Sequence, residues 1–349
     1  MNGVCAVVVT YECEELISSC LEGLETALAA YPGPSRIIVV DNGSTDRGRE
    51  VVASRFPSVD VLELDCNRGF PHAVNVGVAA STEEWVLLLN PDMRIAPDAV
   101  RELVGAAQSA PDVGAVCAEV RFQADPAVVN SAGIEVDVLG TAVDLGLGSR
   151  RSKAPGEAFE VFGVSAGAAL YRRAMLEDIG GFDGSFFLYL EDVDVAWRAR
   201  ARGWRGVCAP RARALHEHSA ISGHGSSLKL FHVGRNRVRL LAKNADRSQL
   251  LRYGVLMVAY DVAYVAYVAL TRRDLAPARG RLAGLSEWRA YRRRRRPGAP
   301  VPLAPARGLG AALRRNRAWG RYSATAGADD RSITPSAIAA KRSAPASLE

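Results

Sequence analysis

Four short apolar runs set what this chain can fold into: VCAVVVT (4–10), SRIIVV (35–40), VDVLEL (59–64) and EWVLLL (84–89). Between them lie ECEELISSCLEGLETALAA, TDRGREVVASRF and PHAVNVGVAAST, which read as helices. Strands this short, alternating with helices, need crossover connections and predict a mostly parallel, doubly wound α/β sheet. Each run ends in polar residues: Thr10-Tyr11, Asp41-Asn42, Asn67-Arg68 and Asn90-Pro91-Asp92. In open α/β sheets ligands bind outside the carboxyl ends of the strands, so these residues are expected to share one crevice.

The ligand chemistry can be narrowed. TYECEEL, after the first run, contains no glycine, so the dinucleotide pattern G-x-G-x-x-G is missing, and no G-x-x-x-x-G-K-[ST] occurs. Hydride transfer and P-loop hydrolysis lose their support. Farther on, residues 121–164 are Gly-rich and read as strands and loops, 161–173 as a buried strand running into a helix at 174–179, and 206–218 as a late strand ending in histidines.

The segment FFLYLEDVDVAWR (186–198) carries the reactive groups. Glu191, Asp192 and Asp194 follow an aromatic run and open a helix. Burial against Phe186, Phe187 and Tyr189 would raise carboxylate basicity, while the positive end of the helix dipole would keep the group ionised, as a general base requires. Asp194 and Arg198 are spaced to pair along one helix face. Alone, such a segment is more often an ordinary acidic helix start than a catalytic site.

The ordered set VVVTYECEELISSCLEGL, VVDNGSTD, NRGFPHAVNVGV, LLNPD, SAGAALYRR, GGFDGSFFLYLEDVDVAWRARARGWR and ALHEHS resembles family 2 glycosyltransferases of the GT-A fold, within them the bacterial rhamnosyltransferase-like group. The match covers roughly residues 4–245. The resemblance implies an α/β GT-A sheet with a C-terminal helical extension, and inverting transfer from a nucleotide-diphosphate sugar, dTDP-rhamnose favoured, to a hydroxyl acceptor. It makes Asp41 the acceptor for the base imide, with Thr10 and Tyr11 lining the same pocket and Asn67, Gly69 and Asn75 on the donor side. Asn90-Pro91-Asp92 stands at the D-x-D position, so Asp92 would carry Mg²⁺ or Mn²⁺ beside the donor, with His216 as a second ligand or a structural residue. The chain departs from the pattern at Glu12, where Asn is usual, and at Asn90, which leaves one strong anionic ligand. Asp192 would take the acceptor proton and Glu191 orient it, though either carboxylate fits the base. His218 and His224 are weaker ligand candidates. Related folds also transfer nucleotidyl groups, but they usually open with a Gly- and Arg-rich phosphate loop that TYECEEL is not. A non-catalytic nucleotide- or glycan-binding protein is the third reading.

Charge divides the chain. From Arg272 onward eighteen Lys/Arg face five Asp/Glu, a net +13 that leaves −7 on residues 1–271 of a chain whose total is +6. The expected organisation is a catalytic domain at 1–225, a helical, membrane-associating segment at 226–272 and a basic, partly disordered tail at 273–349. Residues 253–270 hold one charge, Asp261, whose insertion would cost ~2.5–3.5 kcal/mol, so the segment is expected to lie on a membrane rather than span it. Tyr253, Tyr260, Tyr264 and Tyr267 share a sector of roughly 60°, placed by this reasoning at the lipid boundary. The run 292–296 could be a nucleic-acid patch, but without a nucleic-acid fold motif a solvated or lipid-facing segment is favoured. The expected partners are therefore a donor, a hydroxyl acceptor such as a lipid-linked glycan, and an anionic membrane surface, with no nucleic acid. Scattered cysteines and an N-terminus that enters a strand directly set the expected location in the cytoplasm, peripheral on the inner face of the cell membrane.

Overall fold

The computed structural model describes residues 3–150, 156–217, 226–296 and 298–306. β1 (Val4–Thr10), α1 (Glu14–Ala29), β2 (Ser35–Asp41), α2 (Gly48–Arg55), β3 (Asp60–Glu63), α3 (Phe70–Ala79) and β4 (Trp85–Leu89) alternate as the apolar runs predict. Their strands lie parallel in the order β4-β1-β2-β3. Side chains of β1 divide by the period of two between opposite faces of the sheet. Val4, Ala6 and Val8 pack with Ile17, Leu21 and Leu24 of α1, while Cys5, Val7 and Val9 pack with Ala73 and Val74 of α3. Burying each such large aliphatic side chain contributes about 1.5–3 kcal/mol.

Next come β5 (Met93–Ile95), α4 (Ala99–Ala107), β6 (Val113–Phe122), then the short strands β7 (Val129–Ser131), β8 (Ile134–Val136), β9 (Ala142–Asp144) and β10 (Phe159–Val161). β8 and β9 form a separate two-stranded sheet, with a bridge from Ile134 to Gly163. β11 (Ala168–Arg172) leads into α5 (Arg173–Ile179), and after α6 (Glu191–Ala201) comes β12 (Arg205–His216). β11 runs antiparallel to both β4 and β6, which makes the sheet mixed, in the order β10-β12-β6-β11-β4-β1-β2-β3.

Among the described residues α7 (Ser227–Asn244), α8 (Arg247–Arg272), α9 (Ala276–Ser286) and α10 (Trp288–Arg293) follow. The chain just beyond residue 272 is no loose tail. Gly234 of α7 and Gly280 of α9 let the two backbones touch, because a Cβ at either would collide with the other helix. Arg239 pairs with Glu287, and Tyr291 is buried. The run 292–296 is likewise not simply solvated: Arg292 donates to the carbonyls of Ala242 and Ala245 at the C-terminal end of α7, where a cation is favoured. Residues 307–349, most of the expected tail, lie outside the described residues.

α8 reverses the expectation for three of its four tyrosines. Tyr253 and Tyr260 pack with Leu139, Leu241 and Met257, and Tyr264 packs with Leu230 and Val268, so these face the protein, whereas Tyr267 is exposed. Asp261 lies on the same side, within 2.8 Å of both Arg237 of α7 and Arg281 of α9. Asp261 fixes the helix against the body. Leu251, Val255, Val258 and Val262, spaced four, three and four residues apart, form the exposed stripe on the opposite side.

Candidate active site

The strand ends gather the polar residues as the topology requires. At the end of β2, buried Asp41 accepts from Thr10 Oγ1 at 3.4 Å and from the Ser44 N–H at 3.2 Å, and Arg49 stands 3.6 Å from its Oδ2. A carboxylate has about four acceptor directions, so Oδ1 retains one. Tyr11 is exposed at 39% beside it. Glu12, at φ +51°, accepts from the Thr45 N–H and hydroxyl and so ties the loop after β1 to the loop after β2.

Asn67 Oδ1 accepts from Asn42 Nδ2 and from the Gly69 N–H, which shapes the turn into α3. Gly69 has φ +87°, and a Cβ there would lie 2.5 Å from the Phe187 carbonyl, the group that accepts from the Phe70 N–H. Only glycine fits between α3 and the loop carrying the acidic segment. Asn75 needs a correction. Its amide donates to the Phe182 carbonyl at 2.7 Å and accepts from the Phe182 N–H at 3.0 Å, so it clasps the turn ahead of that loop and is not turned to a ligand.

Asp92 and His216 meet because β5 pairs with the end of β12 and the Glu217 N–H donates to the Asp92 carbonyl. His216 Nε2 lies 3.2 Å from Asp92 Oδ2, and its Nδ1 lies 3.1 Å from Asn130 Oδ1. With Nδ1 protonated toward Asn130, the Nε2 lone pair faces a carboxylate oxygen, an arrangement that a cation between them stabilises. Asp92 Oδ1 is buried without a hydrogen-bond partner. A divalent ion therefore fits these two side chains. Among the described residues no three His, Cys, Asp or Glu are grouped to hold one, so its other ligands would be diphosphate oxygens and water. Asn90 is held by its backbone, its N–H donating to the Gly167 carbonyl. His218 and His224 lie outside the described residues.

The acidic segment enters through a strained loop, with φ of +65° at Phe187, +70° at Tyr189 and +66° at Leu190. Asn236 of α7 secures it, its Nδ2 lying 2.8–2.9 Å from the carbonyls of Phe186, Leu188 and Tyr189. At the start of α6, burial raises the Glu191 carboxyl well above its ordinary value, and the charge of Asp192 adds to the effect. Burial also raises Asp192, only partly offset by the N–H of Val193, with Asp144 pushing it further up. Asp194 is different in kind. Burial would raise it, but Arg198 and Lys243 hold it below the usual carboxylate range. It pairs with Arg198 at 2.8 Å and Lys243 at 2.9 Å and so anchors the helix.

Glu191 and Asp192 line a cavity of about 420 Å³. Its other walls include Asp144, Ser165 and Tyr189, Lys229 of α7, and Tyr264, Tyr267 and Arg272 of α8. Sequence reasoning had no signal for Asn236, Lys243 or Asn130. The first two stand in RNRVRLLAKN (235–244), which as a pattern is only a basic helix.

Fold and site together define a glycosyltransferase of the GT-A fold. The family model for "Glycosyl transferase family 2" matches residues 5–180, half of the chain, and the chain belongs to that family. It is 29% identical over 212 residues to an N-acetylglucosaminyl-diphospho-decaprenol L-rhamnosyltransferase of Mycobacterium tuberculosis, covering 54% of this chain and 69% of the relative. It is also 30% identical over 198 residues to the O-antigen biosynthesis protein RfbC of Myxococcus xanthus, covering 53% of this chain and 15% of that one. Among solved structures, GalNAc-T7 with UDP, GalNAc and Mn²⁺ superposes with a TM-score of 0.54 at 13% identity, over 69% of this chain and 48% of that one, a likeness of fold.

Proposed function

We propose that this chain moves a sugar, in the favoured case rhamnose from dTDP-rhamnose, to a hydroxyl of a lipid-linked glycan at the cytoplasmic face of a membrane, inverting the anomeric centre. One observation carries the reading: Asp192, made basic by burial, lines a cavity of about 420 Å³ with room for an acceptor, while Asp41 stands at a strand end outside that lining. The M. tuberculosis relative supports rhamnose and a diphospho-lipid acceptor.

The free acceptor direction of Asp41 suits the imide N–H of a pyrimidine. Asp192 takes the proton of the acceptor hydroxyl as its oxygen bonds to the anomeric carbon. The bond from that carbon to the diphosphate breaks, and its electron pair leaves with the nucleoside diphosphate. Asp92 and His216 would hold Mg²⁺ or Mn²⁺, which supplies positive charge to the leaving group. Glu191 stays protonated where Asp192 is ionised, since two adjacent buried carboxylates resist sharing charge, and can orient its neighbour.

The exposed stripe of α8 fits the membrane part of the reading. Arg247 and Arg252 flank one end and Arg272 and Arg273 the other, suited to anionic headgroups around an apolar strip. By length and composition alone α8 could cross a bilayer, but the double ion pair of Asp261 favours its lying flat. The test is product analysis with nucleotide sugars, dTDP-rhamnose first, in Mg²⁺ or Mn²⁺. Free nucleoside diphosphate is the expected product; pyrophosphate would mean nucleotidyl transfer, and no product a binding protein.

A further inference from the structure

The cavity beside Asp192 holds more charge than a neutral sugar acceptor calls for. Three of its wall residues are carboxylates, Asp144, Glu191 and Asp192, and two are cations, Lys229 and Arg272. Lys229 stands in the first turn of α7, its ammonium 5.2 Å from the ring centre of Tyr189. Burial lowers its pKa, with Asp144 acting the other way, so the ammonium there is poorly hydrated. Arg272 ends α8 across the same cavity, exposed, next to Tyr267 and Val268.

We propose that Lys229 and Arg272 form a binding site for a phosphate or diphosphate group on the acceptor, set between its sugar and an apolar tail. The inference rests on the transferase reading above and deepens it. Three features support it. A poorly hydrated ammonium and a guanidinium bind phosphate oxygens through charge-assisted hydrogen bonds, the guanidinium in a forked geometry. The lining of the cavity includes none of Asp41, Asp92 and His216, the residues read as holding the donor. One wall is α8, which ends at Arg272 and carries the apolar stripe on its other face, so a tail leaving past Arg272 can pass the end of the helix to the surface proposed to dock on lipid. Phosphate at this point would place the acceptor sugar toward Asp192 and its tail toward the bilayer.

The test reads binding without turnover, on the full-length protein, by calorimetry with decyl diphosphate and, as the neutral control, decyl glucoside. Lys229→Gln and Arg272→Gln should each weaken decyl diphosphate about tenfold, the scale of one lost hydrogen bond to a charged group, and leave decyl glucoside unchanged. Asp92→Asn should leave both unchanged. Equal weakening of both ligands, no weakening in either cation variant, or loss of decyl diphosphate in Asp92→Asn would overturn the site, the last by placing the diphosphate on the donor side. Phosphatidylglycerol vesicles separate the sources of phosphate: if they, and not decyl diphosphate, lose affinity in the variants, the cations serve the membrane and the acceptor site is overturned. Failure of nucleoside diphosphate release is a separate readout that would sink the transferase reading, whatever the diphosphate affinity.

Discussion

The carboxylates that open α6 differ by their neighbours and not by their type. Asp194, next to Arg198 and Lys243, stays ionised and structural, whereas Glu191 and Asp192, buried without such partners, are raised. LEDVD shows that acids gather here, and the spacing of Asp194 and Arg198 shows one of the pairs that sets Asp194 apart; the other cation, Lys243 of α7, stands some fifty residues later, which no local pattern reveals. The placement of Asp41, Asp92 and His216 at strand ends was legible in the sequence; the approach of Asn130 to His216 was not, since a lone Asn in a Gly-rich stretch has no signature. At this scale the metal reading predicts that Asp92→Ala and His216→Ala each raise the Mn²⁺ concentration needed for half-maximal activity, Asp92→Ala more because it removes the anionic ligand. Full activity in EDTA, or unchanged metal titrations in both variants, would contradict it.

Among the elements, β1 to β4 and their crossovers could be read from the sequence because period and length agree there. Helix over 226–272 could be read as well, and α7 and α8 lie there; what these helices hold could not, because their contacts are made across the chain. α7 serves as a basic clasp. Lys243 sits between Asp183 and Asp194, at 2.7 and 2.9 Å, and overcomes the burial that would raise the Asp183 carboxyl, holding it down at about 2. Lys243→Met should therefore destabilise the protein by about 3–5 kcal/mol near neutral pH, the cost of leaving buried charge unpaired. A depressed carboxylate contributes stability that is present above its unfolded pKa of roughly 4 and lost as pH falls through the folded value. The gap between wild type and variant should thus narrow as pH falls from 4 toward about 2, which urea unfolding at several pH values would show. A gap independent of pH would mean that Lys243 acts by packing alone.

For the molecule as a whole, the basic charge after residue 272 marks a region of different composition, but composition could not show that α9 and α10 pack on α7 or which face of α8 is outward. The tyrosine sector looked suited to a lipid boundary, yet Asp261 lies on the same side and its two arginine partners draw that side inward. The membrane reading now rests on the opposite face. Val258→Glu together with Val262→Glu, both 63% exposed, should abolish flotation with anionic liposomes at low salt while leaving the melting temperature unchanged. Equal flotation of wild type and variant, or none by either, would remove lipid docking. The central claim is that Asp192 accepts the acceptor proton during sugar transfer, and steady-state nucleoside diphosphate release by Asp192→Asn, beside a calorimetric measurement of donor affinity, tests it most directly. The expected result is a fall in kcat of ~10²–10⁴-fold with donor binding preserved, the usual loss when a general base is removed; turnover near that of wild type would contradict it.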